Sequence, residues 1–222
     1  MNLPIRPALN LLRTATVCVA LATSLTGCFP VAAVSVGAGA LMLSDRRPTE
    51  TYIADEAIET RAVNRINEKF GDRVHVNVTS YNLSVLMTGE VPSAAVKSEV
   101  EKIISKVPNV RALTNELAVA GISTFGARSN DAYITSKVKA RFIDANKFNA
   151  NHVKIVTEAG TVYLLGLVTQ RESTDAVEIA RTTGGVQKVV RVFELIAEDA
   201  AKKIDNPHGT GSTEPPAAAD KK

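Results

Sequence analysis

Residues 153–177 read VKIVTEAGTVYLLGLVTQRESTDAV, and residues 76–100 read VNVTSYNLSVLMTGEVPSAAVKSEV. At an offset of 77 the two stretches superimpose Val76 on Val153, Val78 on Ile155, Val85 on Val162, Gly89 on Gly166, Val91 on Val168 and Val100 on Val177. After one deletion the register continues as Val110 with Val186, Leu113 with Val189 and Leu117 with Phe193. A repeat of this length sets the architecture before any single element does. Two copies of one small fold stand in series. Catalytic machinery is rarely built twice in miniature, so the duplication points toward binding or scaffolding.

Working outward, each copy reads as helix–strand–strand–helix–strand. In the first, Ile58, Ala62 and Ile66 are spaced for one face of a helix from about Ile53 to Lys69. Val74, Val76 and Val78 alternate with polar residues as a half-buried strand, and Leu83, Val85 and Met87 make a second that closes at Gly89. Pro92-Ser93 opens a helix striped by Val96, Val100, Ile103, Ile104 and Val107; Pro108-Asn109 stops it, and Val110–Val119 is the last strand. The second copy has a helix carrying Ile134, Val138 and Phe142, strands at Val153–Thr157 and Thr161–Val168, a helix from Arg171 and a strand from Val186 to Ile196. Ala159-Gly160 makes its hairpin turn, and Thr169 with Glu172 has capping-box spacing. The expected fold class is α+β: two tandem domains, each αββαβ, with a small three-stranded mixed sheet covered by two helices on one face.

The chain has 222 residues, 5% aromatic and without Trp, so the cores must be small and aliphatic. Setting aside residues 1–27, there are 24 basic and 23 acidic side chains. That balance excludes the dense basic stripe of a nucleic-acid protein. Residues 120–196 carry 10 basic and 7 acidic side chains, enough for one weakly cationic patch on the second repeat. Cys18 and Cys28, the two cysteines, can build neither a disulfide framework nor a CxxC metal site. His75, His152 and His208 are scattered, and no HExxH, GxSxG or phosphate loop occurs. Asp55, Glu56 and Glu59 fall near a helix start, where acids complement the helix dipole. The residues indicate no enzyme, no small-molecule substrate, no metal and no cofactor.

Residues 1–27 read as a secretory signal, with Arg6 and Arg13 ahead of an apolar stretch from Ala15 to Leu25. That stretch is short of the roughly 20 residues a membrane span needs. Leu25-Thr26-Gly27-Cys28 resembles the bacterial lipobox, which makes Cys28 the lipidated, palmitate-bearing first residue of the mature chain. Residue 29 is Phe rather than Asp, which by resemblance to sorted lipoproteins favours export onward to the outer membrane. Residues 28–50 then form the lipidated amino terminus and linker, residues 51–119 the first domain, 120–129 a linker, 130–196 the second domain and 197–222 a disordered tail.

The element order, the strand-ending glycine and the Gly185-Val186 step before the last strand resemble the BON domain. The first repeat departs with Asn109 before Val110. Together with the lipobox, the strings Ser129-Asn130-Asp131-Ala132-Tyr133-Ile134-Thr135 and Gly166-Leu167-Val168-Thr169-Gln170-Arg171-Glu172 resemble the dual-BON outer-membrane lipoproteins. The resemblance covers roughly residues 20–196.

Two surfaces stand out. On the second sheet, Tyr163, Leu165 and Leu167 point opposite to Val162 and Leu164, and Val190 and Val192 opposite to Val189 and Phe193. A sheet covered by helices on one face should be polar on the other, so this apolar face calls for a cover: the first repeat, a second molecule, or none. On the first helix of the second repeat, helical spacing puts Tyr133, Lys137, Ala140 and Arg141 on or near the outer face, Lys139 to one side and Lys147 in the following loop. A tyrosine beside cations suits a membrane interface, and equally an ordinary solvated helix face. The resemblance implies that this helix binds anionic phospholipid such as phosphatidylglycerol or cardiolipin. It also implies a protein on the periplasmic face of the outer membrane that supports envelope integrity. The other class of function is an adaptor that grips an envelope protein and uses lipid only as its tether.

Overall fold

The computed structural model describes residues 45–206. They form α1 (Thr49–Phe70), β1 (His75–Tyr81), β2 (Ser84–Val91), α2 (Ala94–Ile104), β3 (Ala112–Asn115), β4 (Ala118–Val119), α3 (Phe125–Ala145), β5 (Lys154–Glu158), β6 (Thr161–Val168), α4 (Gln170–Arg181), β7 (Lys188–Leu195) and α5 (Glu198–Asp205). In each repeat the middle strand is central: β2 pairs antiparallel with β1 and parallel with β3 and β4, and β6 pairs antiparallel with β5 and parallel with β7. β3 and β4 are one strand interrupted at Glu116-Leu117, where the Leu117 side chain turns into the core. The architecture is α+β, twice αββαβ.

Each repeat has its own aliphatic core. Ile58, Ala62, Ile66 and Phe70 of α1 meet Val85, Met87 and Val91 of β2, with Val100 and Ile104 of α2 closing the layer. In the second repeat Ile134, Val138 and Phe142 of α3 pack with Val162, Leu164 and Val168 of β6 and Ala176, Ile179 and Ala180 of α4. A third cluster lies between the repeats: Tyr163, Leu165 and Leu167 are buried together with Tyr81 and Leu86 of the first repeat, and Val190 and Val192 pack against them half-buried. The cover of the second sheet's outer face is therefore the first repeat. Polar contacts frame it, with Lys154 Nζ 2.9 Å from Glu59 Oε1 and the Asn82 amide donating to Glu194 at 2.8 Å. Arg111 also pairs with Glu194.

The element limits differ from the sequence reading at several places: β2 runs past Gly89 to Val91, and β3 and β7 open at Ala112 and Lys188 rather than at Val110 and Val186. α1 begins at Thr49 rather than near Ile53, with Pro48 as its N-cap, whose carbonyl accepts from Tyr52 N at 3.0 Å. The expected linker 120–129 loses its last five residues to α3, whose start is capped by Thr124 Oγ1 accepting from Ala127 N at 3.2 Å. No apolar period marks that first turn, since Phe125 is 79% exposed. The expectation of disorder from residue 197 is corrected over α5. Glu198 and Asp199 sit in its first turn and Lys202 and Lys203 in its last, matching the helix dipole, and Ala201 is buried. The rest of the tail, residues 207–222, lies outside the described residues.

Candidate functional site

α3 presents the second repeat's outer surface. Its inner stripe of Ile134, Val138 and Phe142 is 0–1% exposed. On the opposite side Tyr133, Ser136, Ala140 and Ile143 follow at i, i+3, i+7 and i+10, all exposed. Tyr133 and Ile143 are each 61% exposed, and Phe125, the first residue of α3, is 79% exposed. The outer stripe is thus small, aromatic and aliphatic, without a charge along its centre. Ile143 and Phe125 escaped the sequence reading; ten residues from Tyr133 is about 2.8 turns, which sets Ile143 about 80° round the helix, at the flank of the exposed side.

The cations that flank the stripe are not free. Lys137 Nζ stands 4.6 Å from the centre of the Tyr133 ring and donates to the Gly184 carbonyl. Lys139 Nζ donates to the Ala150 carbonyl and, at 3.3 Å, to Asn151 Oδ1. Burial lowers its pKa from the ordinary lysine value. Arg141 Nη1 donates to Ile179 O at 2.9 Å, Thr182 Oγ1 at 3.0 Å and Thr183 Oγ1 at 2.9 Å. Arg141 is thereby a cap on the C-terminus of α4, where cations belong. Arg141 is exposed, as the helical spacing expects, but its donors are committed to α4 rather than free toward solvent. Lys147 pairs with Asp175 at 2.8 Å.

Two buried aspartates hold the frame behind this surface. Asp55 of α1 accepts from Ser80 Oγ at 2.6 Å and from the backbone N–H of Asn82 and Leu83 at 2.8 Å. Asp131 of α3 accepts from the N–H of Ala159 and Gly160, both at 2.9 Å. The turn residues they clamp, Asn82, Leu83, Ala159 and Gly160, all have positive φ. Asp55 therefore serves as a turn clamp one full turn inside its helix, and not as a partner of the helix dipole. The repeat offset, 76 for this pair, was the available signal.

A strap leads into the first helix. Arg46 donates to the Leu167 carbonyl at 2.9 Å and makes a bidentate pair with Glu172, at 2.6 and 2.9 Å, and another with Asp205, at 2.9 and 2.8 Å. Arg47 pairs with Asp55 at 2.8 Å and lies 4.0 Å over the Tyr81 ring. Glu172 is shared with the capping box of α4, in which Thr169 and Glu172 satisfy each other's backbone N–H. Cys28 lies outside the described residues. Among the described residues no helix is long and apolar enough to cross a membrane.

The family model for the BON domain matches residues 54–121 and 130–205. The second match takes in α5, which the repeat reading had left outside the fold. The chain is 36% identical over 177 residues to "Outer membrane lipoprotein DolP" of Haemophilus influenzae, covering 78% of this chain and 90% of that protein. It is 27% identical over 154 residues to the "21 kDa hemolysin" of Actinobacillus pleuropneumoniae, covering 68% of this chain and 79% of that one. It is 29% identical over 125 residues to "Osmotically-inducible protein Y" of Escherichia coli, covering 52% and 62%. With the family model matched twice and the likeness covering 90% of the Haemophilus influenzae relative, the chain belongs to the BON-domain family, as a two-domain protein of the DolP type.

Proposed function

We propose that this is a non-enzymatic lipoprotein, anchored through Cys28 to the periplasmic face of the outer membrane, which lays α3 against anionic phospholipid and supports envelope integrity. The observation that carries the reading is the uncharged exposed stripe of Tyr133, Ala140 and Ile143 with Lys137 at its edge. A ring that is apolar in body and polar at its tip settles at headgroup depth. Each free cation near an anionic surface contributes roughly 1 kcal/mol. With Arg141 committed to α4 and Lys139 half-buried, the Coulombic share is smaller than three cations would supply, and Ile143 and Tyr133 must contribute apolar contact. Such weak binding suffices once the chain is tethered, because the anchor converts it to an intramolecular event. Outer-membrane lipoprotein character in the relative from Haemophilus influenzae supports the anchor and its destination.

Sedimentation with vesicles tests the surface. Tyr133→Ser with Ile143→Ser should reduce binding of the chain to phosphatidylglycerol or cardiolipin vesicles by about tenfold or more, with Lys137→Glu adding a salt-dependent loss. Phosphatidylcholine vesicles should bind poorly throughout. Cys28→Ala should release the protein from the membrane fraction of cells. Vesicle binding that survives all three α3 substitutions would transfer the assignment to a protein adaptor for which lipid is only the tether.

A further inference from the structure

Where the two domains meet, β1, β2 and β5 bring three ligating side chains together. His75 and Glu90 face each other across the β1–β2 pair, and Glu158 ends β5 of the other domain. One ring nitrogen of His75 and one oxygen from each glutamate lie within 4.8 Å of one another. Glu90 is 6% and Glu158 8% exposed. Two carboxylates held this close and this dry repel strongly unless a cation lies between them. Among the described residues no Lys or Arg makes an ion pair with either, and Glu90 Oε2 lies 2.9 Å from His75 Nδ1, within hydrogen-bond distance.

We propose that His75, Glu90 and Glu158 form a divalent transition-metal site, of the kind that takes Zn²⁺, bridging the two domains. One imidazole and two carboxylates are a donor set that zinc accepts, and three protein ligands leave a fourth position for water. A cavity of about 290 Å³ opens beside His75 and Glu158 and gives that position room. Tetrahedral zinc with bonds of about 2.0–2.1 Å sets its ligand atoms about 3.3 Å apart, so rotamer-scale closure from 4.8 Å completes the shell. The outer shell is already built. Asn77 Nδ2 donates to Glu158 Oε2 at 2.9 Å, and Ser123 N donates to Glu90 Oε2 at 3.1 Å, fixing both carboxylates. Binding exchanges the hydrogen bond between His75 and Glu90 for two metal bonds and releases any proton the pair holds. Because Glu158 belongs to the second domain, the ion fastens the domain pair.

The test is titration of the full chain, purified in detergent without a histidine tag, with Zn²⁺ by calorimetry, followed by Co²⁺ absorption. One Zn²⁺ per chain is expected, with a rise in Tm for the cooperative transition of both domains. Glu158→Gln and His75→Gln should each weaken binding at least about tenfold, the loss that even outer-shell changes produce. Glu158→Gln keeps an acceptor for Asn77 and so preserves the fold. Glu178→Gln, on the exposed face of α4, should leave binding unchanged. By the proposed function the mature chain has lost Cys18 with the signal and carries Cys28 acylated, so neither offers a thiolate; Zn²⁺ that remains bound at full affinity after both substitutions overturns the proposal. So does the absence of saturable Zn²⁺ and Co²⁺ binding in the parent protein.

Discussion

At Gly89 and Gly166 a Cβ would lie 2.1 Å from the carbonyl oxygen of His75 and 2.3 Å from that of His152. Gly89 in β2 and Gly166 in β6 are thus clearances for the backbone at the start of β1 and just ahead of β5, and the two histidines are themselves repeat partners, 77 residues apart. Asn109 stands where the second repeat has Gly185, yet both have positive φ, at 72° and 98°. Asparagine tolerates that region better than other side chains, so the departure in sequence is none in conformation. His152 is buried, with Nδ1 3.8 Å from Glu172 and Nε2 3.7 Å from Asp205, and Nδ1 has no hydrogen-bond partner. Burial, and then the Arg46 guanidinium, hold its pKa below the ordinary 6.5, so the folded protein keeps it neutral. A folded pKa below the unfolded one stabilises above the unfolded value and is lost as pH falls. The loss should therefore begin near pH 6.5 and run downward. The hydrogen bonds of Arg46 also hold Asp205 low; at Glu172 burial is the largest single influence and pushes upward, but the Arg46 hydrogen bonds, the Thr169 N–H and the Arg46 charge together lower its pKa, and both contributions disappear only further down, below 3.8 and 4.5. Thermal melts from pH 7 to 5 should show a falling Tm, with a shallower fall in His152→Gln. Equal slopes in the two proteins would refute this assignment.

Among the elements, α3 has two roles that compete for the same residues. Arg141 is placed to meet an anionic surface but spends its donors on Ile179, Thr182 and Thr183 at the end of α4. Charge reversal there removes three hydrogen bonds from a charged donor and sets an anion beside a helix C-terminus. Arg141→Glu should destabilise the second domain by about 1–3 kcal/mol. Lys137→Glu gives up one carbonyl contact and the Tyr133 ring, and should cost under about 1 kcal/mol. Chemical denaturation of the two variants separates the roles: equal stability losses would contradict the assignment of Arg141 to α4. α5 illustrates the reverse case. It is eight residues long, too short to persist alone, and is retained because Asp205 reaches Arg46 and Ala201 is buried.

For the whole molecule, the two domains share a third apolar core and should unfold together. Tyr81, Leu86, Tyr163, Leu165 and Leu167 are 1–7% exposed, and each buried side chain of this size stabilises by roughly 1.5–3 kcal/mol. Their sum is an upper estimate on the order of 10 kcal/mol, comparable with the entire stability of a small domain. The strap adds to it, since Arg46 and Arg47 join α1, the Leu167 carbonyl, α4 and α5. Leu165→Asp places an unpaired charge at a position 1% exposed and should cost more than about 4 kcal/mol. Amide spectra of that variant should shift in both domains, at Tyr81 and Leu86 as well as along β6. A first domain whose spectrum stays unperturbed would argue against a shared core.

The repeat, the αββαβ order and the inner stripes of the helices were legible in the residues because each rests on local periodicity: 3.6 for Ile134, Val138 and Phe142, 2 for Val74, Val76 and Val78. The apolar surplus at Tyr163, Leu165 and Leu167 was legible too, as a violation of that pattern, but its cover was not. Choosing between the first repeat and another molecule depends on where a distant surface comes to lie. For the same reason the sequence could not assign Arg141 to α4, Asp55 and Asp131 to the hairpin turns, or Asp205 to Arg46. Nor could it bring His75 and Glu90 to within 4.8 Å of Glu158. Periodicity reports which face of an element is buried; the partner of a charged side chain is set by the packing of whole elements, and a single sequence carries no local signal of it.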